Sequence, residues 1–202
     1  MSKLKVGVLA SGRGSNLQAL IDAINKKEVD AQIAVVISNK GDAQALDRAR
    51  KHGINAFFIN PSDFEGRDAY ERRLVEILDE HEVGLVVLAG YMLIVGKLVL
   101  EAYRNRIINI HPALIPCFPG LRAQKQALDF GVQYSGCTVH FVDESLDSGP
   151  IILQAVVPVF ENDTEELLSK RILEEEHRIL PKAVKLFSEN RLKVDGRRVR
   201  LT

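Results

Sequence analysis

Residues 5–16, Lys5-Val6-Gly7-Val8-Leu9-Ala10-Ser11-Gly12-Arg13-Gly14-Ser15-Asn16, decide the fold class. A short apolar, β-branched run stops at a glycine turn. Leu17, Leu20, Ile21 and Ile24 follow at the spacing of one helix face. The unit is therefore strand, tight turn, helix. AQIAVVIS (31–38), NAFFIN (55–60), VGLVVLAG (83–90) and RIINI (106–110) repeat the strand half of this pattern, with amphipathic stretches between them. Runs such as VGLVVLA are apolar on consecutive positions, which fits strands covered on both faces. The expectation is an α/β fold with an open, mostly parallel, doubly wound sheet.

The rhythm changes after His111. A proline-containing turn leads to a helix near Gln124 to Phe130, then to two longer runs, SGCTVHFVD and PIILQAVVPV, separated by ESLDSG. Consecutive strands without a crossover helix predict an antiparallel pair at the C-terminal end. A long helix is expected from Asp163, as N-cap, with Glu166 at N3, to about Ser188, bent at Pro181. The tail reads as a small hairpin about Asp195-Gly196. No repeat or linker interrupts the chain. We expect a single domain over 1–202, its first half about 1–105 and its second about 106–202.

Composition narrows the function. Of 202 residues, 46% are hydrophobic and 27% charged, a globular balance rather than a disordered one. Lysine plus arginine and aspartate plus glutamate both number 27, so no overall basic field exists to hold nucleic acid. Cys117 and Cys137 form no CxxC and cannot build a disulfide framework, which points to a reducing compartment. The first apolar run is too short for a signal peptide or a membrane span. Small-molecule partners are expected, in the cytoplasm, with no nucleic acid and no membrane.

Three places carry possible chemistry. The turn 11–16 opens directly into a helix, where backbone N–H groups and the positive helix end bind anions. It lacks the Lys-Ser/Thr ending of a P-loop, and Leu17 breaks the dinucleotide fingerprint, so one phosphate is the natural guest. In Ile107-Ile108-Asn109-Ile110-His111, a period of two puts Asn109 and His111 on one face at the C-terminal end of a strand, the ligand side of open α/β sheets. An amide and an imidazole there can stabilise an oxyanion and move protons. In the long helix, Leu168, Ile172, Ile179, Ala183 and Phe187 form an apolar stripe into which Glu176 falls. A carboxylate so placed either pairs internally or holds a polar ligand group. Asp147, before Ser-Gly-Pro, reads locally as a turn residue, with Asp143 an equal acidic candidate. Cys117 reads as loop filler. His52, His81 and His177 sit among charged helical residues, His140 lies mid-strand, and no metal-ligand spacing occurs.

Taken together, SGRGSN (11–16), LAGYM (88–92), NIHPALIPCFPGL (109–121), TVHFVDESLDSGPIILQ (138–154) and EEEH (174–177) resemble the folate-dependent phosphoribosylglycinamide formyltransferase family. The resemblance covers nearly the whole chain. It implies a Rossmann-like formyltransferase fold, with a phosphate-binding first half and a folate-binding, catalytic second half. It implies a one-carbon transferase of de novo purine biosynthesis that uses 10-formyltetrahydrofolate as co-substrate and no metal, as a monomer or homodimer. Carried over by motif, Gly14, Ser15 and Asn16 would hold the substrate phosphate and Glu176 its sugar or glycinamide part. Asn109 and His111 would polarise the formyl oxygen and stabilise a tetrahedral intermediate, with Asp147 assisting His111 in proton transfer. Arg67 and the backbone of Met92, Leu93, Ile94 and Val95 would flank the folate, beside Asn109. The chain departs from the family's pattern at Tyr91, Leu93, Ala113 and Arg122. Related deformylases and transfer-RNA formyltransferases carry an additional domain, which 202 residues would not accommodate.

Overall fold

The computed structural model describes residues 3–202. It divides into two compact units, one ending at Ile108 and the other spanning Asn109–Thr202. The first is built as the sequence predicts. Strands β1 (Leu4–Leu9), β2 (Ala31–Ser38), β3 (Asn55–Phe58) and β4 (Leu85–Leu88) alternate with helices α1 (Ser15–Asn25), α2 (Gln44–Lys51) and α3 (Arg67–Glu80). Their order is β3-β2-β1-β4 and every pairing between them is parallel. Val6, Val8, Val35, Val36, Val86 and Val87 are fully buried, as consecutive apolar positions require of a sheet covered on both faces. A short helix α4 (Lys97–Ala102) precedes β5 (Ile107–His111), whose last three residues open the second unit.

In the second unit come α5 (Ala123–Phe130), β6 (Tyr134–Phe141), β7 (Ile151–Pro158), α6 (Glu165–Ser188), β8 (Leu192–Asp195) and β9 (Arg198–Leu201). Strands β6 and β7 are antiparallel, and β8 and β9 form the expected hairpin. The 24-residue α6 buries Leu168, Ile172, Ile179 and Ala183, while Phe187 is half-buried and meets the Phe141 ring. Among the described residues no helix is long and apolar enough to cross a membrane.

One expectation fails at the start of α6. Its N-cap is Thr164, whose hydroxyl accepts from the Leu167 N–H at 3.3 Å; Asp163 does not cap the helix. Asp163 instead forms a two-oxygen pair with Arg171, at 2.7 and 2.8 Å, and accepts the Phe160 N–H. The guanidinium holds the Asp163 carboxyl at about 2. A bidentate charged pair outcompetes a single capping bond, and the neighbouring threonine takes the cap.

Candidate active site

In the first unit, β1 delivers the chain into a turn that ends at Gly14, which sits in the left-handed region at φ 69° and precedes α1. Glycine is required there twice over. The backbone conformation disfavours any side chain, and an added Cβ would lie 2.8 Å from the Ala45 backbone. The Gln18 N–H closes the first turn on Gly14, so the turn sits at the positive end of α1. Ser15 opens the helix half-buried, and Asn16 is buried. The loop is braced from below: Ser11 Oγ donates to Asn39 and accepts the Met92 N–H at 2.8 Å.

The segment after β4 is braced as well. Arg67 donates to Glu71 Oε1 and to the Ile94 carbonyl, both at 2.8 Å, while Glu71 Oε2 accepts the Leu98 N–H at 3.2 Å. Glu71 is buried, whereas half of the Arg67 side chain stays exposed. Met92 and Ile94 stand exposed beside it; Leu93 is half-buried and Val95 buried. Glu71, which fixes the Arg67 side chain, stands four residues after it on one helix face, a spacing visible in the sequence. The Tyr91 hydroxyl meets that of Tyr70, and burial pushes the Tyr91 phenol up.

In the second unit the geometry draws four side chains together. On β5, the alternation predicted from sequence holds: Ile110 is buried in the core, and Asn109 and His111 share the opposite face. His111 Nδ1 lies 3.4 Å from Asp147 Oδ2, and its Nε2 lies 2.8 Å from the Phe118 carbonyl. A carbonyl only accepts, so Nε2 carries a proton. Asn109 Nδ2 lies 3.2 Å from Asp147 Oδ1 and 3.2 Å from His140 Nε2. Asp147 Oδ2 also accepts the Gly120 N–H at 2.8 Å.

Asp147 therefore holds both Asn109 and His111, while Asp143 spends its Oδ1 on the Ser145 N–H within its own turn. Local sequence left the two carboxylates equal; geometry separates them. His140 is the residue that sequence reasoning passed over. The signal was present: with Thr138 it forms a polar alternation in the part of β6 that is buried, Ser135 to Phe141, where most polar groups find partners. Burial pushes its pKa down.

Glu176 is 7% exposed, so a carboxylate does sit in the buried stripe of α6, whereas its neighbour Glu174 is exposed. Cys117 is exposed and Cys137 buried, its thiol pushed up to about 12 by burial. The loop residue Arg122 forms a two-oxygen pair with Glu165. Ala113 is buried, its carbonyl accepting from Thr138 Oγ1 at 2.7 Å.

Comparison with known proteins gives consistent matches. The family model described as formyl transferase matches residues 4–184. A phosphoribosylglycinamide formyltransferase of Escherichia coli (strain K12) is 44% identical, the match covering 95% of this chain and 90% of that protein. The trifunctional purine biosynthetic protein adenosine-3 of Drosophila pseudoobscura pseudoobscura is 48% identical over 94% of this chain, which spans 14% of that longer protein. Among solved structures, glycinamide ribonucleotide transformylase 1 from Symbiobacterium toebii is 52% identical with a TM-score of 0.98, covering 99% of this chain and 94% of that one.

Proposed function

Since the chain belongs to the formyl transferase family, we propose that it transfers a formyl group from 10-formyltetrahydrofolate to the glycinamide amine of a phosphoribosyl substrate. The observation that carries the reading is the meeting of Asn109, His111 and Asp147 in the second unit. Attack of the amine nitrogen on the formyl carbon makes a C–N bond and moves an electron pair onto oxygen. The tetrahedral intermediate thus carries an oxyanion and a protonated nitrogen, and its collapse breaks the bond to the folate nitrogen. The net change moves one formyl group and one proton, the proton passing from the amine to the departing folate.

Each named group has a part in this balance. The His111 Nε2–H, which meets the Phe118 carbonyl, is the donor we assign to the oxyanion, with an N–H of Asn109 beside it. Asp147 is the acceptor for the amine's proton and orients His111 through Nδ1. For the folate we assign Arg67 and the segment 92–95. Exposed Met92 and Ile94 and the half-exposed Arg67 guanidinium suit the apolar aminobenzoyl ring and the anionic glutamate tail of a folate, and backbone groups of 92–95 its polar pterin edge. For the phosphorylated substrate we assign the turn at Gly14, Ser15 and Asn16 to the phosphate and Glu176 to the polar groups beyond it.

A turnover assay with both substrates tests the reading. Formylated product and tetrahydrofolate should appear in equal amounts, and omitting the amine substrate should stop folate consumption. Folate deformylation at the same rate without the amine would assign water as acceptor and overturn the reading.

A further inference from the structure

His140 is 1% exposed, and each nitrogen of its ring faces a polar neighbour. Nδ1 lies 2.9 Å from the Phe141 carbonyl oxygen, which only accepts, so Nδ1 carries the proton. Burial disfavours a second proton, even with Asp147 and Asp143 nearby favouring one and His111 opposing it. The ring is then neutral and Nε2 presents a lone pair. Whatever group of Asn109 faces that lone pair must be a donor.

This settles the rotation of the Asn109 amide. Its NH2 group lies 3.2 Å from His140 Nε2 and 3.2 Å from Asp147 Oδ1, two acceptors 3.9 Å apart. Rotated by half a turn, the amide would set its oxygen against a lone pair and a carboxylate, exchanging two hydrogen bonds for two repulsions. The strand is shaped for this contact: the register of β6 against β7 slips between Val139 and His140, and such irregularities re-aim a side chain.

We propose that His140 is a positioning residue that locks the Asn109 amide with its NH2 group, rather than its oxygen, toward the place where the formyl oxygen becomes negative. The inference rests on the oxyanion-donor role assigned to Asn109 above and supplies the reason it donates. One N–H stays on His140 throughout. The other, which meets Asp147 Oδ1, is the one that turns to the oxyanion. An amide free to rotate would present its oxygen part of the time and oppose the developing charge.

The direct test needs no variant. In full-length protein with nitrogen-15-labelled histidine, long-range proton–nitrogen correlations at neutral pH should show His140 as the Nδ1–H tautomer with Nε2 unprotonated. An Nε2–H tautomer overturns the lock. Kinetics supply the functional arm. His140→Leu should lower kcat about ten- to hundredfold, part of the hundred- to thousandfold loss typical of removing an oxyanion donor, while both KM values stay within about threefold. His140→Gln, whose side-chain oxygen accepts in place of Nε2, should recover most of that loss. A folded His140→Leu variant with unchanged kcat overturns the proposal, and if that variant fails to fold, the tautomer decides. Failure of the underlying reading looks different: Asn109→Ala would keep its turnover while His140 still showed the Nδ1–H tautomer.

Discussion

Gly120 donates its backbone N–H to Asp147 Oδ2 at 2.8 Å, so the loop after β5 holds the carboxylate that meets Asn109 and His111. The same loop supplies the Phe118 carbonyl to His111. Gly120 stands at φ +80°, the left-handed region, with open space around it apart from Leu146 at 3.7 Å. The constraint is on the backbone, not on room for a methyl group.

Gly120→Ala should therefore cost about 1 kcal/mol through the left-handed backbone alone, a fall in Tm of about 2–4 °C for a chain of this size. Because the strained residue carries the N–H that fixes Asp147, kcat should fall as well. Thermal melts and steady-state kinetics on one preparation check both. A stability loss with unchanged kcat would show that the Gly120 contact does not position Asp147.

Asp163 and Arg171 give a prediction in pH. Arg171 holds the Asp163 carboxyl at about 2, below its ordinary 3.8, so the folded state binds that proton less readily than the unfolded chain. The stabilisation is complete above the ordinary value and is lost as pH falls toward 2. Urea unfolding at stepped pH should show Asp163→Asn less stable than the parent at pH 7, with the gap closing between about pH 4 and 2. A constant gap down to pH 2 would contradict the pairing.

Glu176 separates ligand binding from structure. If it holds the phosphorylated substrate, Glu176→Gln keeps the volume and removes the charge, so the KM for that substrate should rise about tenfold, the size of one charged hydrogen bond, at nearly constant kcat and Tm. A large fall in Tm with unchanged KM would make it a structural residue.

What the sequence revealed, and what it hid, follow from the range of the forces involved. Strands β1 to β5 are legible because consecutive apolar residues such as Val86 and Val87 encode burial locally. The shared face of Asn109 and His111 follows from a period of two. The cap of α6 was misread because two capping residues, Asp163 and Thr164, stand side by side, and the contest is decided by Arg171, eight residues on. Asp147 and Asp143 could not be ranked locally, since the distinction is made by Gly120 and β5. The alternation of Thr138 and His140 marks His140 as a polar group in a buried strand, but Asn109 and Asp147, which face its Nε2, come from another strand and a loop, a juxtaposition no spacing in the chain encodes.

The most direct measurement of the central claim compares kcat for Asp147→Asn and Asp143→Asn in the two-substrate formyl-transfer assay. Asp147→Asn keeps the side chain's shape but removes the charge that faces His111 Nδ1 and the proton acceptor for the amine. It should lower kcat about a hundredfold or more, the scale of general acid–base assistance, with both KM values within a few-fold. Asp143→Asn removes a half-buried carboxylate four positions away that bonds within its own turn and leaves the Asp147 contacts with Asn109, His111 and Gly120 in place, so kcat should stay within about twofold. Full activity in Asp147→Asn together with its loss in Asp143→Asn would contradict the account and the placement of chemistry at Asn109, His111 and Asp147.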